Sequence, residues 1–390
     1  MIPRNAEKTL LELAQGYPLV GITGPRQSGK TTLARHLFKT KPYISLENPD
    51  IRELAQEDPR GFLKKYHKGA VFDEIQRAPE LLSFLQEIVD TDNKPGRFII
   101  TGSQQFGLLS GITQSLAGRI ALVQLLPFSY NECYTEDRTA PFPDELFFTG
   151  LYPPVHDRSL APGIWYGNYV QTYIERDVRQ MVNIKDLGNF QRFLKLCAGR
   201  TGQLLNLSGL AADCGITHNT AKSWISILEA SYILFLLRPH YRNYNKRLIK
   251  SPKLYFYDTG LLSWLLSIRS PDQLNIHSMR GPIFESFIIS ETVKSFFNKG
   301  LPHPLYFWRD RSGNEIDLLI EHGDRLQPVE IKSGQTLNRN FFKGVKKWMT
   351  LAGPAAIKPT LIYGGDEATT YNDIDAVPWH SWVLCQGWPG

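Results

Sequence analysis

The chain has 390 residues, which at about 150 residues per domain implies two or three domains rather than one small fold. Hydrophobic residues at 42% and charged residues at 21%, with 31 Gly and 25 Pro, exclude a collagenous, low-complexity or disordered chain. The balance of 44 Lys and Arg against 38 Asp and Glu leaves +6, which permits anionic partners without requiring them.

Five short apolar runs, Tyr17 to Thr23, Pro42 to Leu46, Gly69 to Phe72, Phe98 to Thr101 and Ile120 to Leu125, alternate with helical periodicity. Buried strands between helices predict a parallel α/β sheet, assigned to a first domain over 1–155. From about 160 to 232 the spacing turns helical, and a helical domain is expected over 156–270. A long helix from Ile283 and alternating strands near 305–332 predict a second α/β domain over 271–390. The N-terminal MIPRNAEK lacks the apolar core of a secretory signal, and runs such as Tyr232 to Leu237 fall far short of the roughly 18 residues that span a bilayer. A cytoplasmic protein with no membrane partner is expected. Cys133, Cys197, Cys214 and Cys385 are too scattered for a zinc site or a disulfide framework, and are read as reduced and mostly buried.

Gly24-Pro25-Arg26-Gln27-Ser28-Gly29-Lys30-Thr31 satisfies GxxxxGK[ST] between a strand and a helix, and these residues with Thr32 are the expected nucleotide-binding set. The glycines let backbone N–H groups wrap phosphates, Lys30 reaches the β and γ phosphates, and Thr31 offers a hydroxyl to Mg²⁺. The strand Ala70-Val71-Phe72 ends in Asp73-Glu74, the Walker B arrangement: Asp73 for Mg²⁺, Glu74 for the attacking water. Either carboxylate also suits a helix cap. Ser103, after the next strand in Gly102-Ser103-Gln104, is a candidate sensor of the γ-phosphate. Arg119, closing Ser115-Leu116-Ala117-Gly118-Arg119, reads equally as an arginine finger offered to a neighbouring subunit, which would require a homo-oligomer, or as a cation at a helix C-terminus.

GPRQSGKTT, VFDEIQ, FIITGS, SLAGRI and LLPFSYNE, in that order, resemble a bacterial and archaeal family of AAA-type ATPases that carry a C-terminal domain of unknown function. The resemblance spans essentially the whole chain and implies ATP as the substrate; the motifs alone do not exclude GTP.

In the middle, LNLSGLAADCGITHNTAKSWISILEASYI reads as helix, turn at Cys214-Gly215, and a second helix with Ala221, Trp224, Ile225 and Leu228 on one stripe. Strands Tyr232 to Leu237 and Leu254 to Tyr257 would form a wing, and the family resemblance implies a winged helix as well. His218, Asn219, Lys222 and Ser226 face the other way. Arg238, Arg242, Lys246, Arg247, Lys250 and Lys253, interleaved with Tyr241 and Tyr244, form a basic stretch suited to DNA phosphates or else a solvated loop. Further on, Glu285 sits beside the buried stripe of its helix, and strand alternation puts Asp317 opposite Ile316, Leu318 and Ile320, and separates Glu330 and Lys332 from the aliphatics. Glu285, Asp317, Glu330 and Lys332 resemble the PD-(D/E)xK nuclease pattern, which implies carboxylates holding Mg²⁺ and a lysine positioning water. A surface salt-bridge cluster, or a nuclease-like fold that binds DNA without cutting it, are the other readings. The tryptophans, Trp165, Trp308 and Trp348 among them, are read as packing, and the histidines as unclustered. The function expected is an Mg²⁺-dependent ATPase acting on DNA. The alternative is a slow nucleotide switch whose C-terminal domain binds a protein.

Overall fold

The computed structural model describes residues 1–103, 116–134, 142–178, 186–240 and 250–385, with 175–178 as backbone alone. Gln104, Ser115, Tyr241, Arg242, Tyr244, Lys246 and Arg247 lie outside the described residues.

All five expected N-terminal strands form: β1 Leu19–Thr23, β2 Tyr43–Ser45, β3 Ala70–Asp73, β4 Phe98–Gly102 and β5 Ile120–Gln124. They pair in parallel in the order β2-β3-β4-β1-β5, with Val20 beside Ile99 and Ala121. Every residue of β1, β3 and β4 is buried, because helices cover both faces. Leu19, Phe72, Phe98 and Ile100 pack with Phe62 and Leu85 on one face, while Val20, Ile22, Val71 and Ile99 pack with Leu10 and Leu33 on the other. Because β4 lies between β1 and β3, the loops after these three strands meet at one edge, where an open parallel sheet binds ligands.

The middle is helical. Leu207–Cys214 ends at Gly215, whose φ of 66° supplies the left-handed turn into His218–Ala230. Thr217 caps the second helix, its side chain accepting from Thr220 N at 3.1 Å. Ala221, Trp224, Ile225 and Leu228 are buried, and His218, Asn219 and Lys222 are exposed. The following strand starts later than its apolar run, because Tyr232 sits at φ 56°, outside extended backbone. β6 Leu234–Leu237 pairs antiparallel with β7 Lys253–Phe256.

The C-terminal part is a mixed sheet of β8 Leu305–Arg309, β9 Glu315–His322, β10 Arg325–Lys332, β11 Thr360–Tyr363, β12 Thr369–Tyr371 and β13 Ile374–Pro378, ordered β12-β13-β11-β10-β9-β8. β9 and β10 form the expected hairpin, with Leu318 opposite Val329. The expected alternation fails. Leu318 and Ile320 join the core shared with the helix Arg280–Phe297, whereas Ile316 joins a cluster with Val345 and Trp348 of the helix Lys343–Ala352. Covered on both faces, the sheet buries Asp317 and Glu330 to 8% exposure each. The larger core runs from Leu126 to Val383, so the helical middle and the C-terminal sheet share one apolar interior. Trp308 and Trp348 are buried in the interior, and Trp165 packs against Tyr152 and Tyr169. The four cysteines are free, with Cys385 exposed and the rest buried.

Candidate functional site: a phosphate cradle and a buried charge cluster

Gly24 and Gly29 bracket a tight loop between β1 and the helix Lys30–Leu37. At Gly24, φ is 150° and a Cβ would lie 2.0 Å from the Leu125 carbonyl oxygen, so only glycine fits. Gln27 also takes a left-handed φ of 65°. Ser28 is fully buried and its Oγ has no hydrogen-bond partner, a free polar group inside the cradle. The Lys30 ammonium donates to the carbonyls of Gly24 (2.9 Å) and Pro25 (2.7 Å), and burial lowers its pKa to about 8.

At the end of β3, Asp73 Oδ1 accepts from Thr31 Oγ1 at 2.8 Å and from Thr101 Oγ1, and its Oδ2 accepts from Tyr43 at 2.7 Å. Burial and that bond raise the Tyr43 phenol pKa. Thr31 and Asp73 thus present adjacent hard oxygens, a donor set whose chemistry would fit Mg²⁺. Glu74 follows at φ 57°; its Oε2 accepts from Ser103 Oγ at 2.8 Å and from Gln76 Nε2. Thr31, Asp73, Glu74 and Ser103 are therefore brought together around Lys30. Arg119 is not among them. It precedes β5 at the opposite edge and is paired with Asp90, its Nη2 lying 3.0 Å from Asp90 Oδ2.

A cleft of about 310 Å³ extends from Lys30 and Asp73 past Arg4 and Phe128 to Pro153 and Arg158. Sequence reasoning missed its bracing. Arg4 donates to the Ser28 carbonyl at 2.7 Å and to Leu126 O at 2.8 Å, and pairs with Glu132 at 3.1 Å. Tyr232 donates to Thr23 Oγ1 at 2.8 Å, and the Arg26 guanidinium lies 5.5 Å from the centre of the Tyr173 ring. No local motif marks Arg4, Tyr43 or Tyr232, because each reaches the cradle from a distant segment; Gln76, two residues beyond Glu74, lay within VFDEIQ but was given no role.

Residues 16–134 match a family model described as an AAA domain; 143–272 and 280–382 match two models described as domains of unknown function (DUF8612 and DUF4143). Two proteins, Uncharacterized protein Mb2031c of Mycobacterium bovis and Uncharacterized protein Rv2008c of Mycobacterium tuberculosis, are each 33% identical over 341 residues, covering 85% of this chain and 74% of theirs. The chain is an AAA-domain protein of the family these two represent. Among solved structures, the Walker-type ATPase PABY2304 of Pyrococcus abyssi aligns at TM-score 0.47 and 15% identity, over 68% of this chain and 96% of that one. AMPPCP-bound DnaA from Aquifex aeolicus aligns at TM-score 0.30 and 14% identity, over 57% and 85%. The first domain of this AAA protein is a P-loop ATPase domain with a parallel sheet. No helix among the described residues is long and apolar enough to cross a membrane.

The second cluster of this AAA protein lies in its C-terminal sheet. Lys332 Nζ bridges Glu330 Oε1 at 2.6 Å and Asp317 Oδ2 at 3.3 Å, and the Ile331 N–H donates to Asp317 Oδ2 at 2.9 Å. Asp317, Glu330 and Lys332 thus meet, with Glu285 approaching from the helix Arg280–Phe297 closely enough to interact electrostatically with Asp317 and Glu330. Glu285 is itself held by Lys253 at 3.1 Å and by the Tyr255 hydroxyl. Lys253 is a correction to the basic stretch: it is 2% exposed and pairs with both Glu285 and Glu315, so it faces carboxylates rather than solvent. Burial raises the pKa of Glu285 and takes that of Glu330 to about 8, while Tyr255 and the nearby carboxylates raise Lys253, and Asp317 and Glu330 raise Lys332, each against its own burial. Glu330 Oε2 has no hydrogen-bond partner. Among the described residues no group of three or more His, Cys, Asp or Glu side chains is disposed to hold a metal ion. The protein's own ammonium groups fill the centre of this cluster.

Proposed function

We propose that the protein is an Mg²⁺-dependent ATPase whose hydrolytic cycle is coupled to DNA binding by the helical middle and the C-terminal domain. The observation that carries it is Glu74 poised beside Lys30 and Asp73, with its carboxylate fixed by Ser103 and Gln76. Thr31 and Asp73 would hold Mg²⁺, which supplies charge neutralisation at the phosphates. Lys30 leaves the Gly24 and Pro25 carbonyls for the β and γ phosphates. Backbone N–H groups of Pro25–Thr32, Pro25 itself excepted, cradle the chain of phosphates. Glu74 takes a proton from water as the water oxygen attacks the γ-phosphorus and the bond to the β-phosphate oxygen breaks. Ser103 releases Glu74 when the γ-phosphate arrives, which is its sensing role.

The finger role of Arg119 belongs to a homo-oligomer. Its partial exposure supports that role, and the Asp90 pair must open for it. The helices Leu207–Cys214 and His218–Ala230 with the β6-β7 ladder have the order of a winged helix. Exposed His218, Asn219, Lys222, Arg238 and Lys250 support a phosphate-facing surface. The boundaries 1–155, 156–270 and 271–390 are kept as working limits, with the segment Leu126 to Val155 packing into the larger core beyond the first sheet. For the C-terminal domain, the lysines lodged among Glu285, Asp317 and Glu330 favour a nuclease-like fold that binds DNA without cutting it.

The deciding experiment measures ATP hydrolysis by purified protein with and without single- and double-stranded DNA, with Lys30→Ala as the background control. Stimulation by DNA that fades with added salt is the expected result. Hydrolysis indifferent to DNA refutes the coupling, and wild-type turnover in Lys30→Ala refutes the P-loop assignment. Nicking of DNA by wild type with Mg²⁺ or Mn²⁺, absent in Asp317→Ala, would refute the non-cutting reading.

A further inference from the structure

The AAA sheet has a second edge, where its strands begin. The sheet order places β2, β3 and β4 side by side, so the segments that lead into them are neighbours although the sequence separates them. Each is basic: Lys39 and Lys41 before β2, Arg60, Lys64, Lys65 and Lys68 before β3, Lys94 and Arg97 before β4. No Asp or Glu occurs in 31–46, 59–72 or 93–103. Hydrogen bonds tie the three segments together. Lys41 Nζ donates to the Arg97 carbonyl at 3.2 Å, and Arg97 Nη2 donates to the His67 carbonyl at 2.7 Å. They bound a cleft of about 480 Å³ lined by Lys41, His67, Lys68, Asp92, Lys94 and Arg97.

Among the described residues, Glu87, Asp90 and Asp92 at this edge are already engaged: Glu87 with Arg60 at 2.9 Å, Asp90 with Arg119 at 3.0 Å, and Asp92 with Lys94 at 3.0 Å and Arg97 at 3.2 Å. Lys39, Lys64, Lys65, Lys68 and Lys94 are solvent-exposed. With adjacent strands about 4.8 Å apart, the three segments span roughly 10 Å, and four residues of β3 at about 3.3 Å each put this edge roughly 13 Å from the phosphate cradle.

We infer that this edge is a second phosphate-binding surface of the ATPase domain, and that its ligand is the backbone of a nucleic acid. Long, mobile ammonium groups from several loops suit a repeating anion that is read without base contacts. Arg97, only 9% exposed, is the strut that holds the loops in place rather than a contact. ATP does not compete for this surface, because the cradle lies at the other end of the same strands. A duplex lying here would place its contacts on the loops that feed β3 and β4, the strands that end in Asp73 and just before Ser103. The inference rests on the DNA reading above, and its test separates the two.

The test is fluorescence anisotropy of a labelled duplex of about 30 base pairs, titrated with full-length protein from about 50 to about 200 mM salt. The variant is Lys64→Gln/Lys65→Gln/Lys68→Gln, all exposed positions outside the nucleotide site; Lys222→Ala on the helix His218–Ala230 is the comparison. The triple variant is expected to bind about tenfold or more weakly, with a slope of log affinity against log salt shallower by about 2.7, at about 0.9 per lost phosphate contact. Its DNA-free ATP hydrolysis should equal that of wild type, which establishes that it folds. Triple-variant binding within about twofold of wild type overturns this inference and leaves the DNA reading standing. Wild type that binds no duplex defeats the DNA reading itself. Displacement of the duplex by poly-L-glutamate at equal charge would assign the surface to an acidic protein instead and overturn the ligand proposed here.

Discussion

Replacing Lys253 by Met removes an ammonium that joins the β6-β7 ladder to Glu285 of the helix Arg280–Phe297 and to Glu315 of the C-terminal sheet. Lys253 is 2% exposed and pairs with Glu285 at 3.1 Å and with Glu315. Glu315 retains Arg309 at 2.9 Å, so the residue left uncompensated is Glu285, which keeps only the Tyr255 hydroxyl. Breaking a buried pair in this way costs about 3–5 kcal/mol. For 390 residues at about 2.1 cal/mol/K per residue, the unfolding entropy is about 0.8 kcal/mol/K, so the melting temperature should fall by about 4–6 °C.

The loss should depend on pH. Burial already raises the pKa of Glu285, and removing Lys253, its largest lowering influence, raises it further. A carboxyl whose folded pKa lies above its unfolded value near 4.5 contributes stability below that value and loses it as pH rises through the folded pKa. Differential scanning calorimetry of Lys253→Met should therefore show a smaller deficit near pH 5 than near pH 8. Adding Glu285→Gln should recover part of it. A deficit under about 1 °C, or one independent of pH, would refute the claim that Lys253 neutralises the cluster.

Glu74→Gln keeps a side chain of the same shape beside Ser103 but cannot take a proton; hydrolysis should fall at least about 100-fold with ATP affinity nearly unchanged, and undiminished turnover would move the base elsewhere. Arg119→Ala, if the residue acts across a subunit interface, should lose about 1,000-fold in turnover, and mixing it with inactive Lys30→Ala subunits should restore activity. Failure of the mixture to regain any activity would leave Arg119 as a partner of Asp90 only. His303 is half-buried with its Nδ1 out of solvent and unpartnered, and burial lowers its pKa from 6.5 to about 4. Its neutral ring contributes full stability above pH 6.5, and that contribution drains away as pH falls toward 4, by at most about 3 kcal/mol. The melting temperature of His303→Gln should accordingly fall less between pH 7 and pH 4.5 than that of wild type, and parallel curves would contradict this.

The first sheet was legible in the sequence because its strands are buried on both faces and read as unbroken apolar runs, while glycine and lysine spacing marks the loop after β1. Such signals are local: each depends on residues within one turn or one strand. The pairing of Thr31 with Asp73 follows from the motifs as well, since both sit at strand ends that the P-loop fold makes neighbours. In the C-terminal part, alternation misled, because a sheet covered on both faces buries its charged positions too, and Asp317 and Glu330 show no solvated face. Lys253 read as a surface cation because its sequence neighbours are basic; only the antiparallel pairing of β6 with β7 and the approach of the helix Arg280–Phe297 turned it inward to Glu285. Arg4, Tyr232 and the basic edge share that origin. The bonds from Arg4 to Ser28, from Tyr232 to Thr23 and from Arg97 to His67 each span more than 20 residues, so these contacts were decided by sheet order and packing, which no local spacing encodes.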